Sequence, residues 1–100
     1  RDRRMLASDG VVLVAIAVDA KTGQPVGLPE VVSRGFLSDP EDPLIGRARQ
    51  HLLDALRQRR EDEHAAEPGY VKTKARDTLS RFFHEHTKRR PMILPTVMEV

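Results

Sequence analysis

Few residues in this 100-residue chain could do chemistry, and their spacing limits what they can do. Four histidines are present, His51, His64, His84 and His86, and there is no cysteine. Without Cys there are no thiolate metal sites, disulfides or cysteine nucleophiles. His84-Glu85-His86 has the spacing of a metal-binding pair only on a strand, where alternate side chains share a face. On a helix each residue turns by about 100°, so the two rings point roughly 200° apart. The surrounding apolar spacing is helical. The two rings are therefore expected as cations facing a helix C-terminus, and no metal ligand is assigned. Carboxylates cluster at Asp39, Glu41 and Asp42, and again at Glu61, Asp62 and Glu63. Both groups lie in polar, loop-like stretches, which suits capping and solubility better than acid–base work. Ser8, Ser33, Ser38 and Ser80 lack a nucleophile-elbow context, and Gly23 and Gly27 do not form a phosphate loop. No catalytic and no cofactor-binding residue is assigned.

Charge is the other source of chemistry. The net charge is +2, an average that hides a gradient. Residues 41–67 carry five basic and seven acidic groups; residues 71–90 carry seven basic and two acidic. Lys72, Arg76, Arg81, Lys88, Arg89 and Arg90 are the candidate contacts to a nucleic-acid phosphate backbone. The favoured reading of the same residues is a solvated helix whose last cations face its own dipole. Tyr70 is the one aromatic near them that looks accessible, a weak basis for stacking on bases. Arg34 sits in a mostly apolar segment and needs a carboxylate, a carbonyl or an exit to solvent, with an ion pair favoured.

These residues must be carried by a small α+β unit. The run Val11-Val12-Leu13-Val14-Ala15-Ile16-Ala17-Val18 predicts a strand over about 10–19, apolar on both faces. Lys21 to Pro25 supplies a turn, and a second strand is expected over 30–37, weakened by Gly35. Asp42 and Pro43 mark a helix start, and Ile45, Ala48, Leu52, Ala55 and Leu56 form the apolar stripe of a helix over 44–60. The segment 61–69 reads as a polar connection. Val71, Ala75, Leu79, Phe82 and Phe83 mark a second helix over 70–87, stopped by Pro91. Met92 to Glu99 closes the pattern as a strand, with Pro95 marking an edge position or a bulge. The expected architecture is a three-stranded sheet with two helices on one face, in the order β-β-α-α-β, as a single domain over 1–100.

Two helices of this length cover only one face of such a sheet. The first strand would then expose an apolar face, the kind of patch that marks an interface. Val12, Val14, Ile16 and Val18 are taken as that face, against the rest of a longer chain or another copy. The chain does not begin with Met and shows no signal segment or membrane span, so a cytoplasmic piece of a larger protein is expected.

Thr87-Lys88-Arg89-Arg90-Pro91-Met92-Ile93-Leu94-Pro95, closing with Val97-Met98-Glu99-Val100, resembles the carboxy-terminal end of bacterial ribonuclease J. Asp9-Gly10-Val11-Val12, the segment Pro29 to Phe36 and the helix Lys72 to Phe83 resemble the same family in the same order. Ribonucleases J join a metallo-β-lactamase domain, an inserted β-CASP domain and a small carboxy-terminal domain. They degrade and mature RNA as 5′-to-3′ exonucleases and also cut internally, with metal ions, usually zinc. Their metal ligands lie in a His-x-His-x-Asp-His motif, from which His84-Glu85-His86-Thr87-Lys88-Arg89 departs after the second His. The resemblance therefore implies a non-catalytic carboxy-terminal domain with no cofactor of its own and zinc in the catalytic part of the parent. It further implies a role in oligomerisation, as a dimer or tetramer, and in full activity, with RNA met through the parent. A stand-alone α+β RNA-binding module is the alternative. The two are told apart by whether the basic groups share one exposed face or pair within the domain.

Overall fold

The computed structural model describes residues 9–39, 41–58 and 68–100. Within them lie three strands and two helices: β1 (Val11–Val18), β2 (Glu30–Arg34), α1 (Pro43–Arg57), α2 (Pro68–Thr87) and β3 (Met92–Glu99). The architecture is the expected α+β order. Most of the expected polar connection, including His64, lies outside the described residues, as do Ser8 and positions 59–60 of the expected first helix.

The sheet order is β2-β1-β3. The strand with apolar residues on both faces takes the centre. β1 pairs antiparallel with β2, from Val11 opposite Arg34 to Ala15 opposite Glu30. It pairs parallel with β3 along its whole length, from Val11 beside Met92 to Val18 beside Glu99. Two backbone bonds frame the parallel ladder: Met92 N–H to the Gly10 carbonyl at 3.0 Å and Val100 N–H to the Val18 carbonyl at 2.9 Å. Alternation between them turns the amides of residues 94, 96 and 98 toward β1 and those of 93, 95, 97 and 99 outward. Pro95, which has no amide hydrogen, falls at an outward position. It removes no bond from the ladder and blunts the free edge of β3.

Both helices cover the same face of the sheet, α1 toward β2 and α2 toward β3. Val12, Val14, Ile16 and Val18 are the β1 side chains beneath them, at most 2% exposed. This corrects the assignment of those four residues to an open interface. They are the floor of the core, and the opposite face is the open one. The apolar stripes of both helices fall where their spacing placed them, with Ile45, Ala48, Leu52 and Leu56 meeting Val71, Ala75, Leu79, Phe82 and Phe83. Phe83 is fully buried, edge-on to Phe36 at 5.0 Å between ring centres.

Local chemistry sets the ends of these elements. Asp42 accepts the Leu44 N–H at 2.8 Å, ahead of Pro43 in the first turn of α1. β2 stops at Arg34, three residues before the expected end. Gly35 turns the chain with φ +70° and drops Phe36 into the core. α2 ends in a left-handed Lys88, φ 62°, whose N–H reaches the His84 carbonyl at 2.8 Å. Among the described residues no helix is long and apolar enough to cross a membrane.

Gly10 lies where the start of β1, the end of β2 and the start of β3 converge. Its φ is +85°, and a Cβ added there would sit 2.5 Å from the Gly35 carbonyl carbon. That contact is backbone against backbone, so no flexible side chain can yield. Gly10→Ala is therefore expected to lower unfolding stability by at least about 2 kcal/mol in denaturant titration. Gly27→Ala, at φ +79° with open space around it, should lower it by only about 1 kcal/mol, for the left-handed backbone alone. Equal effects would show that the close approach is unimportant.

In the turn after β1, the Asp19 carboxylate accepts N–H bonds from Lys21 at 2.8 Å and Thr22 at 3.0 Å. The Thr22 amide first, then the Lys21 amide, hold its pKa below the ordinary 3.8. A depressed carboxylate contributes its stability fully above its unfolded pKa and loses it as pH falls through the lower folded value. The carboxyl resonance of Asp19 should thus titrate below 3.8, and the Lys21 and Thr22 amides should shift with it. A midpoint at or above the ordinary value would contradict the turn.

Candidate interaction surfaces

The face of the sheet away from the helices is open and largely apolar. Leu13 at 43%, Val32 at 42%, Leu94 at 43% and Met98 at 50% are exposed on it, with Met92 beside them. Val11, Ala15 and Ala17 are half-buried between these larger side chains. Leu13, Ala15, Glu30, Val32, Leu94 and Thr96 line a shallow depression at its middle. Polar groups lie mainly toward β2, at exposed Glu30 and Arg34. Arg34 takes the exit to solvent and not the favoured ion pair. Glu30 pairs with Arg49 instead, at 3.3 Å.

The large residues of this face were missed in the sequence. A signal for them existed. Glu30 and Arg34 flank Val32 at alternate positions of β2 and so mark that strand's wet side. Pairing carries the same side to Leu13 on β1 and Leu94 on β3.

The six candidate cations do not form one group. On α2, Lys72 and Arg76 lie about 40° apart, whereas Arg81 is turned roughly 140° from Arg76. All three are exposed, on opposite flanks of the helix. Lys88 and Arg90 are exposed beyond its end, where the Arg90 N–H donates to the Asp9 carboxylate at 3.0 Å. Arg89 is half-buried and has a structural task. Its guanidinium donates to the Phe36 carbonyl at 2.5 Å and lies over the Phe36 ring, 5.2 Å from the ring centre. Its own N–H donates to the Thr87 hydroxyl at 3.0 Å. Arg89 thus fastens the loop after β2 to the end of α2.

A second set of residues meets at the junction of the helices. Phe82 is flanked by two imidazoles, His51 of α1 at 5.0 Å and His86 of α2 at 4.3 Å, tilted from its plane by 30° and 33°. His86 Nδ1 lies 2.9 Å from the Phe82 carbonyl, and its Nε2 lies 3.1 Å from the Arg47 guanidinium. A carbonyl only accepts and a guanidinium only donates. In this pair of contacts Nδ1 donates to the Phe82 carbonyl and Nε2 accepts from Arg47.

Among the described residues no three His, Cys, Asp or Glu side chains come together to hold a metal ion. These residues do not fit a zinc site, and no step of metal chemistry is built on them.

The comparisons with known proteins cover the whole chain. The family model described as Ribonuclease J C-terminal domain matches residues 1–100. Ribonuclease J2 of Bacillus subtilis (strain 168) is 38% identical over 101 aligned residues, and Ribonuclease J 2 of Streptococcus pyogenes serotype M3 is 38% identical over 100. Ribonuclease J 2 of Staphylococcus aureus (strain NCTC 8325) is 33% identical over 100. Each alignment takes in 100% of this chain but only 18% of the relative's length.

The division of the cations is testable by stability. Arg89→Ala removes a charged donor from the half-buried Phe36 carbonyl together with its ring contact. It should lower unfolding stability by about 2 kcal/mol. Lys72→Ala, on an exposed helix flank, should change it by no more than about 0.5 kcal/mol. Thermal or urea denaturation of the two variants beside the parent chain measures both. An Arg89→Ala chain as stable as the parent would return Arg89 to the surface cations.

Proposed function

Because this chain belongs to the ribonuclease J C-terminal domain family, we propose that it serves a ribonuclease J-like enzyme as a non-catalytic carboxy-terminal domain. In this reading the parent hydrolyses RNA in the cytoplasm, and its metal ions, zinc among them, belong to its catalytic part. The domain's own work is assembly. It holds copies of the parent together, as a dimer or tetramer, and so supports full activity. RNA is met chiefly through the parent.

The observation that carries this reading is the open face of the sheet. Leu13, Val32, Met92, Leu94 and Met98 form one continuous apolar surface on a rigid three-stranded support. A solvated surface of that character favours burial against a partner. Pro95 blunts the free edge of β3, which favours packing through the face over extension of the sheet. Glu30 and Arg34 add opposite charges to the β2 side, where a self-complementary contact could pair them across a two-fold axis.

The test is the mass of the chain by light scattering over a concentration series. Association is expected, and the double variant Leu13→Glu, Leu94→Glu should weaken it by at least about tenfold, because each carboxylate would be buried unpaired. Its circular dichroism should remain that of the parent chain, since both positions are exposed. A chain that stays strictly monomeric at millimolar concentration would overturn the self-association reading.

A further inference from the structure

The open face of the sheet is not flat. β1 pairs residue by residue with β2 and β3, so its outward side chains continue into rows across the strands. Val32, Leu13 and Leu94 form one row, all of them exposed. The next row is Glu30, Ala15 and Thr96. Beyond it come Ala17 and Met98, and on the other side Arg34, Val11 and Met92. Neighbouring rows on one face lie about 6.7 Å apart along the strands. Ala15 carries a single methyl group at the centre of its row, so the larger side chains of the row beside it stand above it. The shallow depression in this face is lined by Leu13, Val32 and Leu94 on one side and by Ala15, Glu30 and Thr96 on the other. Ridge and hollow are therefore adjacent, and each runs across the same three strands.

We propose that the hollow over Ala15 receives Leu13 of a second copy of this chain, whose own hollow receives Leu13 in return. The inference rests on the assembly reading above and adds the register of the contact. A two-fold axis running across the strands, midway between the two rows, sets each ridge side chain over a hollow one. Leu13 then meets Ala15, Leu94 meets Thr96 and Val32 meets Glu30 of the second copy. Every such pair occurs twice, as an isologous contact requires. Inner faces of packed sheets interdigitate in this way at a spacing of about 10 Å. The same axis brings Arg34 within one row of Glu30 of the second copy. Both residues are exposed, and Glu30 keeps 69% of its side chain accessible while its Oε2 meets Arg49. Opposite charges are thus matched twice along the β2 side. An axis along the strands would instead set ridge on ridge, with Glu30 over Thr96 and Arg34 over Met92, and neither charge would meet its opposite.

The experiment is light scattering of the chain and its variants over a concentration series, with circular dichroism to check folding. Ala15→Leu adds apolar surface and would strengthen a contact made by apolar area alone. In a ridge-and-hollow contact it fills the hollow, and it is expected to weaken association at least about tenfold. Thr96→Leu, at an exposed position of β3, fills the same hollow from another strand and should act in the same direction, so either variant reads the hollow by itself. Leu13→Ala, which lowers the ridge, should also weaken association about tenfold. The double variant Leu13→Ala, Ala15→Leu exchanges ridge and hollow. It should return association to within about threefold of the unsubstituted chain, because the same axis sets the new ridge over the new hollow. Association as tight as the unsubstituted chain's, or tighter, in Ala15→Leu and Thr96→Leu overturns the ridge-and-hollow contact and leaves the assembly reading standing. So does a double variant that associates no more tightly than Ala15→Leu alone. An unsubstituted chain that stays monomeric at millimolar concentration overturns both.

Discussion

The parallel pairing of β1 with β3 is the constraint on which the remaining structure rests. It joins the first described strand to the last, with Gly10 bonded to Met92 at one end and Val18 to Val100 at the other. Two parallel neighbours need a long crossover, and everything between them must serve as that connection. β2 takes the only other position beside β1. Both helices then return the chain over a single face. An asymmetric layer follows, with one face of β1 under Leu52, Leu79 and Phe83 and the other left to solvent. So distant a pairing forms at the expense of a large loop entropy, which the Val12, Val14, Ile16 and Val18 contacts must offset.

The second consequence is the close packing at one end of the sheet. Three strand ends meet there, and the available space is set by Gly10 against Gly35. From this corner Phe36 enters the core, and Arg89 reaches back to its carbonyl and ring. A residue that reads as a free cation in a Lys-Arg-Arg run is therefore part of the fold. Its neighbours in the run stay exposed. Charge density along a sequence counts such residues equally. Their partners, 53 positions apart in the case of Arg89 and Phe36, separate them.

Much of the fold was legible because it depends on local periodicity. The strands and helices were placed by apolar spacing, and the caps by Asp42, Pro43 and Pro91. The number of helices also told that one sheet face would stay open. Which face could not be read from β1, because Val12, Val14, Ile16 and Val18 and the set beginning at Val11 are both apolar. That ambiguity put the interface on the wrong side. The decision lies in β2, where Glu30 and Arg34 cannot be buried unpaired and so turn Val32, and with it Leu13, to solvent. The ring cluster was less legible still. His51 and His86 are 35 positions apart, and each alone looks like an ordinary surface histidine. Only the packing of α1 on α2 brings both against Phe82.

The asymmetry of the layer also divides the surface for function. A contact through the Leu13 face would bury the sheet and leave the outer sides of α1 and α2 in solvent. Pro95 blunts the outer edge of β3, so extension of the sheet from that edge is disfavoured. The exposed flanks of the helices, with Arg47, His51 and Arg81, would then point outward from any such pair of domains. Assembly and contact with a polyanion need not compete for the same residues.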